Sequence, residues 1–316
     1  MTADKRPPLV ALAGPTASGK TALSVELAKR FSAEVICADS MQIYAGLSIG
    51  TARPTDEETG GVPHHLFGFV SPEEAYSVAR YVADARRVID EVNARGKLPL
   101  LCGGTGLYLE AILDNLQFAD EPEDSLVRDR LKAEAAQVGN EAMLEKLRAV
   151  DPETAARLHQ NDQGRILRAL EVFEVTGLTI AEQKRRSRAV PPPDRSLLLV
   201  LDYRDRQTLY DRINRRVDVM LEAGLADEAK IFLSAGHAPT AMQAIGYKEL
   251  LPWLAGETSL EEAAEELKQS TRRYAKRQLS WFRRMEASRF LYVDDYASAE
   301  GLTNAAAECI REFLEN

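Results

Sequence analysis

Residues 8–31 read PLVALAGPTASGKTALSVELAKRF. A short run with almost no polar side chain, a turn of small residues, and a stretch placing Leu23, Leu27 and Ala28 on one side describe a buried strand, a Gly-rich turn and a helix. The turn GPTASGKT has the spacing Gly-x-x-x-x-Gly-Lys-Thr between that strand and that helix. In this setting Gly14, Pro15, Thr16, Ala17, Ser18, Gly19, Lys20 and Thr21 make a phosphate-binding loop. Backbone N–H groups of 17–20 wrap phosphate oxygens, Lys20 brings a mobile positive charge, and the Thr21 hydroxyl offers a ligand to Mg2+. The loop does not say which molecule owns the phosphates, and a small-molecule kinase using a nucleoside triphosphate would show the same residues.

Outward from this loop the pattern repeats. EVICADS at 34–40 is a second apolar strand, residues 73–95 carry Ala75, Val78, Ala79, Val82, Ala85 and Ile89 at helical spacing, and LPLLCGG at 98–104 is a third strand after the stop signal Gly96. Strand and helix in alternation predict an α/β fold, a P-loop NTPase-like parallel sheet core flanked by helices. Between 120 and 190 no strand is legible. Helices are expected over 123–138, 141–149, 152–159 and 162–176, an inserted all-helical domain, before SLLLVLDY at 196–203 returns to the sheet. RFLYVDD at 289–295 is a last strand and 298–314 a closing helix. The expected boundaries are 1–117 and 193–316 for the two parts of the core and 118–192 for the insertion.

The 316 residues are 45% hydrophobic and 28% charged with a net charge of −9, an ordinary globular composition that excludes a protein coating nucleic acid indiscriminately. Three cysteines without a Cys-x-x-Cys pair argue against a disulfide framework or structural zinc and fit a reducing cytoplasm. The apolar run at 9–13 is too short for a signal peptide or a membrane span. His64 and His65 are adjacent, and neighbouring strand residues face opposite ways, so they do not read as one metal site.

Two segments after the loop carry chemistry. DSMQIYAGLSIGTARP, 39–54, starts just beyond the second strand, where open α/β sheets bind ligands. There Asp39 is placed to accept a proton from a nucleophile or hold a metal-bound water; the plain alternative is a loop cap by Asp39 and Ser40. GGTGLYLEAIL, 103–113, puts two glycines at the third strand's end, with Thr105 as either a helix cap or a ligand contact.

GPTASGKT, DSMQIYAGLSIGTARP, HHL and GGTGLY, in that order, resemble the bacterial tRNA dimethylallyltransferases, and NDQGRILRALEVFEVTG (161–177), LDYRDRQTLYDRINRRVDVMLEAGL (201–225), AIGYKEL (244–250) and YAKRQLSWFRR (274–284) continue the resemblance along nearly the whole chain. The resemblance implies transfer of a dimethylallyl group from dimethylallyl diphosphate to N6 of adenosine 37, beside the anticodon of tRNAs reading codons that begin with U. The loop then holds the donor's diphosphate with Mg2+ and no ATP is hydrolysed. Asp39 is the expected proton acceptor, Thr105 sits where donor and acceptor meet, and Arg216 stabilises the leaving diphosphate, with Arg212 and Arg215 as alternatives. With so few cysteines, the zinc finger of eukaryotic relatives is not expected. A cytoplasmic location and a monomer are expected.

For the RNA, residues 268–284 carry Lys268, Arg272, Arg273, Lys276, Arg277, Arg283 and Arg284 and no acid, with Tyr274, Trp281 and Phe282 between them. Seven uncompensated cations with interleaved aromatics suit phosphates and bases better than a plain solvated face. In the insertion Gln163, Gly164, Arg165, Ile166, Leu167 and Arg168 form a second expected contact, together with Arg128. An adenosine stacked in an anticodon stem-loop must be turned out of the stack to be modified, so Asp39, Ser40, Met41, Gln42 and Thr105 are expected to meet the extruded base, with core and insertion closing on the loop from two sides.

Overall fold

The computed structural model describes residues 4–118, 125–235, 237–238 and 240–316. It divides into two compact units, 4–113 with 193–316, and 114–192.

In chain order the first unit begins with β1 (Pro8–Ala13), α1 (Lys20–Phe31), β2 (Ala33–Cys37), the single turn α2 (Asp56–Thr59), β3 (His64–His65), α3 (Val78–Ala94), β4 (Leu98–Gly103) and α4 (Gly106–Leu113). The second unit holds α5 (Ser125–Val150), α6 (Pro152–Ala155), α7 (Gln163–Thr176) and α8 (Ile180–Arg188). The chain then completes the first unit with β5 (Arg195–Asp202), α9 (Arg206–Glu222), α10 (Leu225–Ser234), α11 (Leu251–Leu254), α12 (Leu260–Phe282), β6 (Ser288–Tyr292) and α13 (Ala299–Glu315).

The sheet runs β3-β2-β4-β1-β5-β6 and every pairing is parallel. β1 is central, with Ala13 level with Gly103 on one side and Val200 on the other. Its alternate residues enter two cores: Leu9, Ala11 and Ala13 pack toward α3, α4 and α12, Val10 and Leu12 toward α1 and α13. Burial on both faces is why β1, β2, β4 and β5 are near-continuous apolar runs rather than alternating ones. All four end at the same edge of the sheet, which places the phosphate loop, Asp39 and Thr105 together.

Some boundaries differ from expectation. The helix expected from 73 starts after Ser77, whose hydroxyl accepts from the Arg80 N–H, so Ala75 lies outside it. The expected helices 123–138 and 141–149 meet at Gly139, whose φ of 83° breaks the helical path, and 123–124 fall outside the described residues. The helix expected over 152–159 ends at Ala155. The last strand stops at Tyr292, and Val293–Asp295 turn instead. Unforeseen, α8 starts on a reciprocal cap between Thr179 and Glu182. Among the described residues no helix is long and apolar enough to cross a membrane.

Candidate functional site

The turn after β1 carries two left-handed residues, Ala17 at φ 62° and Gly19 at φ 91°. Glycine meets the second at no steric cost; the first is a strained position for alanine, the kind of strain found where backbone must face a ligand. The turn leads into α1, whose first turn has no acidic residue to compete for an anion. Lys20 folds back so that Nζ donates to the Pro15 carbonyl at 2.7 Å. Burial first, with nearby Arg216 adding to it and Cys102 and Asp39 opposing, brings its ammonium down to about 8.

A cavity of about 1050 Å³ opens at the carboxyl edge of the sheet, lined by the loop from Thr16 to Thr21, by Asp39 to Gln42, and by Arg212, Arg215 and Arg216 of α9. Asp39 stands two residues beyond β2, with one carboxylate oxygen accepting the Met41 N–H at 3.0 Å. Arg216 comes from α9, whose Leu209, Ile213 and Val217 are buried. Burial lowers its guanidinium from the ordinary arginine value, while Asp39 and Glu58 pull it up. Arg212 is used otherwise: its Nε donates to the Ala17 carbonyl at 3.0 Å and its guanidinium lies over the Tyr203 ring, so it braces the loop from behind. Asp39, Lys20 and Arg216 thus face one space, as expected from the sequence.

Thr105 is in the same region with its hydroxyl already engaged. Its Oγ1 accepts from the Ser40 N–H at 2.8 Å and donates to Ser40 Oγ at 3.2 Å, and its N–H reaches the Ala38 carbonyl at 3.1 Å. It stitches the end of β4 to the residues after β2. Tyr274 of α12 lies beside Thr105 and Gln278, and burial first, then Asp39, raise its phenol above the usual range. The Gln42 amide donates to the carbonyls of Thr51 and Ala52, so it pins its own loop while leaving its oxygen to a ligand.

The 268–284 segment needs correction. Lys268 is paired with Asp218 and Glu265, each at 2.8 Å, and Arg283 with the fully buried Asp202 at 2.9 Å. Tyr274 points into the site, and Phe282 is in the core. The segment therefore lacks seven uncompensated cations: Lys276, Arg277 and Arg284 are exposed, Arg273 is exposed with Glu266 3.7 Å away, and Arg272 is half-buried against Asn214. Asp218 and Asp202 on neighbouring elements, and Glu265 on α12 itself, neutralised part of what the linear count showed as free charge.

In the second unit, α7 turns Gln163, Gly164, Arg165 and Arg168 outward. Ile166 and Leu167, expected at the RNA, instead join Leu131, Leu147 and Leu170 in that unit's core, where a helix starting at Gln163 turns its fourth and fifth residues to one apolar face. Arg128 and Arg168 both pair with Glu171, a nearly buried carboxylate.

Three residues escaped the sequence reading. Gln278, 5% exposed, accepts the Thr16 N–H at 3.1 Å and donates to the Gly104 carbonyl at 2.8 Å. Glu228 accepts the N–H groups of Ser48, Ile49 and Gly50 and the Tyr247 hydroxyl, fixing the far wall of the cavity. Asp202 ends β5 and holds Arg206 and Arg283. A signal existed for two of them: a glutamine inside the buried stripe Ala275, Gln278, Leu279, Phe282, and a second apolar strand ending in an acid, LLLVLD.

For a divalent metal the donor chemistry fits. Thr21 and Asp39 bring hard oxygens to the same cavity, and among the described residues no three His, Cys, Asp or Glu side chains gather. Such a site suits a cation that keeps phosphate and water oxygens as its other ligands.

Comparison with known proteins agrees with this arrangement. The family model described as IPP transferase matches residues 42–285, and one described as isopentenyl transferase matches 7–65. A tRNA dimethylallyltransferase of a Thermoanaerobacter species is 46% identical over 93% of this chain and 94% of its own, and one of Bacillus velezensis is 45% identical over 99% of each. Among solved structures, a full-length tRNA isopentenylpyrophosphate transferase of Bacillus halodurans superimposes with a TM-score of 0.71 at 42% identity, covering 98% of both chains. A eukaryotic dimethylallyltransferase acting on tRNA gives 0.84 at 29% identity, covering 98% of this chain and 80% of that one.

Proposed function

We propose that this chain, which belongs to the IPP transferase family, takes a dimethylallyl group from dimethylallyl diphosphate and places it on N6 of adenosine 37 in tRNAs reading codons that begin with U, releasing diphosphate. The chain is a prenyltransferase, and transfer of dimethylallyl to adenosine 37 of tRNA is the reaction of its family. The observation that carries the choice of donor and the residue roles is that Asp39, Lys20 and Arg216 line one cavity at the mouth of the phosphate loop. A base and two cations facing each other suit a reaction that removes a proton at one end and an anion at the other.

In the reaction the bond from C1 to the diphosphate oxygen breaks as the bond from N6 to C1 forms. The loop N–H groups, Lys20 and the planar Arg216 guanidinium take up the charge left on the diphosphate. Asp39 accepts the proton that N6 gives up. Thr105 holds Ser40, and through it the segment bearing Asp39, in place while the base is presented. Thr21, with Asp39 close by, would hold Mg2+, which supplies further neutralisation of the diphosphate. Arg273, Lys276 and Arg277, with Arg272 beside them, bind RNA phosphates from the first unit; Arg128, Gln163, Arg165 and Arg168 do so from the second. Ser40, Met41 and Gln42 meet the base turned out of the anticodon loop. The protein works as a monomer in the cytoplasm.

The test is incubation of unmodified tRNA with protein, Mg2+ and dimethylallyl diphosphate, followed by mass spectrometry of the nucleosides. One adenosine should gain a dimethylallyl group less a hydrogen, without ATP. Consumption of ATP with RNA left unchanged would transfer the phosphate loop to a kinase reaction.

A further inference from the structure

Gln278 sits on the buried face of α12, and its amide bridges two segments remote in sequence: the phosphate loop at the Thr16 N–H and the turn after β4 at the Gly104 carbonyl. The orientation of the amide is fixed by chemistry, since an N–H can only donate and a carbonyl only accept. Space is fixed too: a Cβ on Gly104 would fall 2.2 Å from Gln278 Nε2. Tyr274, one helical turn earlier, lies beside both Thr105 and Gln278. The donor loop and the turn that holds Ser40 and Asp39 are therefore each tied to the same amide.

We propose that Gln278 is a positioning residue that keeps the phosphate loop and the Gly104–Thr105 turn in register, so that the leaving diphosphate and the proton acceptor are held at one separation. This rests on the reaction assigned above for its kinetic consequence and on geometry alone for its effect on the loop. Without the clasp, the Thr16 N–H and the Gly104 carbonyl lose their partner and the two segments move independently. The loop then binds an anion less well, and the reacting groups drift. Displacements of about 1 Å cost on the order of 100-fold in rate in aligned reactions.

The experiment compares wild type with Gln278→Met, which keeps length and apolar volume and loses both hydrogen bonds. Inorganic diphosphate affinity is measured by calorimetry, anticodon stem-loop affinity by anisotropy, turnover at saturating substrates, and melting temperature. Gln278→Met should weaken diphosphate about 5-fold and lower kcat about 10-fold or more, with RNA affinity within about 2-fold and the protein folded. Gly104→Ala should reproduce this pattern, because its methyl group displaces the amide. Gly104→Ala combined with Gln278→Ala should be no worse than Gln278→Ala alone, since the methyl then has room. Unchanged diphosphate affinity in folded Gln278→Met overturns the proposal, as does an additive loss in the double variant. A wild type that binds diphosphate and leaves tRNA unmodified overturns the assigned reaction, and the diphosphate comparison then decides the role of Gln278 by itself.

Discussion

Lys20 Nζ lies 2.7 Å from the carbonyl oxygen of Pro15, so the cation of the phosphate loop is held by the loop itself. Burial holds that ammonium down at about 8. Below this pH the ligand-free side chain is charged, and above it neutral. A diphosphate favours the charged form, so binding above about 8 takes up a proton and affinity falls as pH rises through that value. Calorimetry of diphosphate binding in buffers of different ionisation heat, from neutral to alkaline pH, should show proton uptake growing across this range. Lys20→Arg should abolish the uptake, and Lys20→Ala should weaken diphosphate about 10- to 100-fold at neutral pH.

Asp39→Asn keeps an oxygen for the Met41 N–H and loses the ability to take a proton. Turnover measured in a single cycle with saturating RNA and donor should fall about 100-fold or more, with both affinities nearly unchanged. Wild-type turnover in this variant would remove Asp39 from the chemical step.

Salt should separate free from paired cations on α12. Replacing the exposed Lys276 and Arg277, neither of which faces an acid among the described residues, by alanine should flatten the dependence of log affinity for tRNA on log salt by about 1 to 1.5, at about 0.7 for each single-strand phosphate released. Lys268→Ala should leave the slope where it was, because that ammonium is already held by Asp218 and Glu265. Equal effects of the two replacements would contradict this division.

Glu228→Ala strips the acceptor from the Ser48, Ile49 and Gly50 N–H groups and from the Tyr247 hydroxyl. The loss in stability to denaturant should be about 2 kcal/mol, the order expected for unpaired, partly buried donors, and the donor KM should rise as the cavity wall loosens.

The sheet and the phosphate loop were legible because their signals are local: apolar runs buried on both faces, and a loop whose residue types follow from binding an anion. That Asp39 and Arg216 would face one cavity was legible through motif company. What distance in sequence hid is of another kind. The pairing of Lys268 with Asp218 and of Arg283 with Asp202 depends on which helices pack together, and no window of sequence contains both partners. Ile166 and Leu167 were assigned to RNA by the motif around them, where helical periodicity pointed to the core. β3, two residues long, has no pattern to read, although it fixes His65 beside Glu34 at 2.7 Å.

The central place of β1 has a consequence for biosynthesis. Its first neighbour in the chain, β4, is made about 90 residues later and its second, β5, about 190 residues later, after all of α5 to α8 has emerged. A nascent chain thus carries the strand beneath the phosphate loop with one edge bare through most of translation. The clasp from Gln278 to Thr16 comes later still. The cavity beside the phosphate loop is among the last parts of the molecule to be completed, so a nascent chain that stops short of α12 carries the loop sequence without the Gln278 clasp.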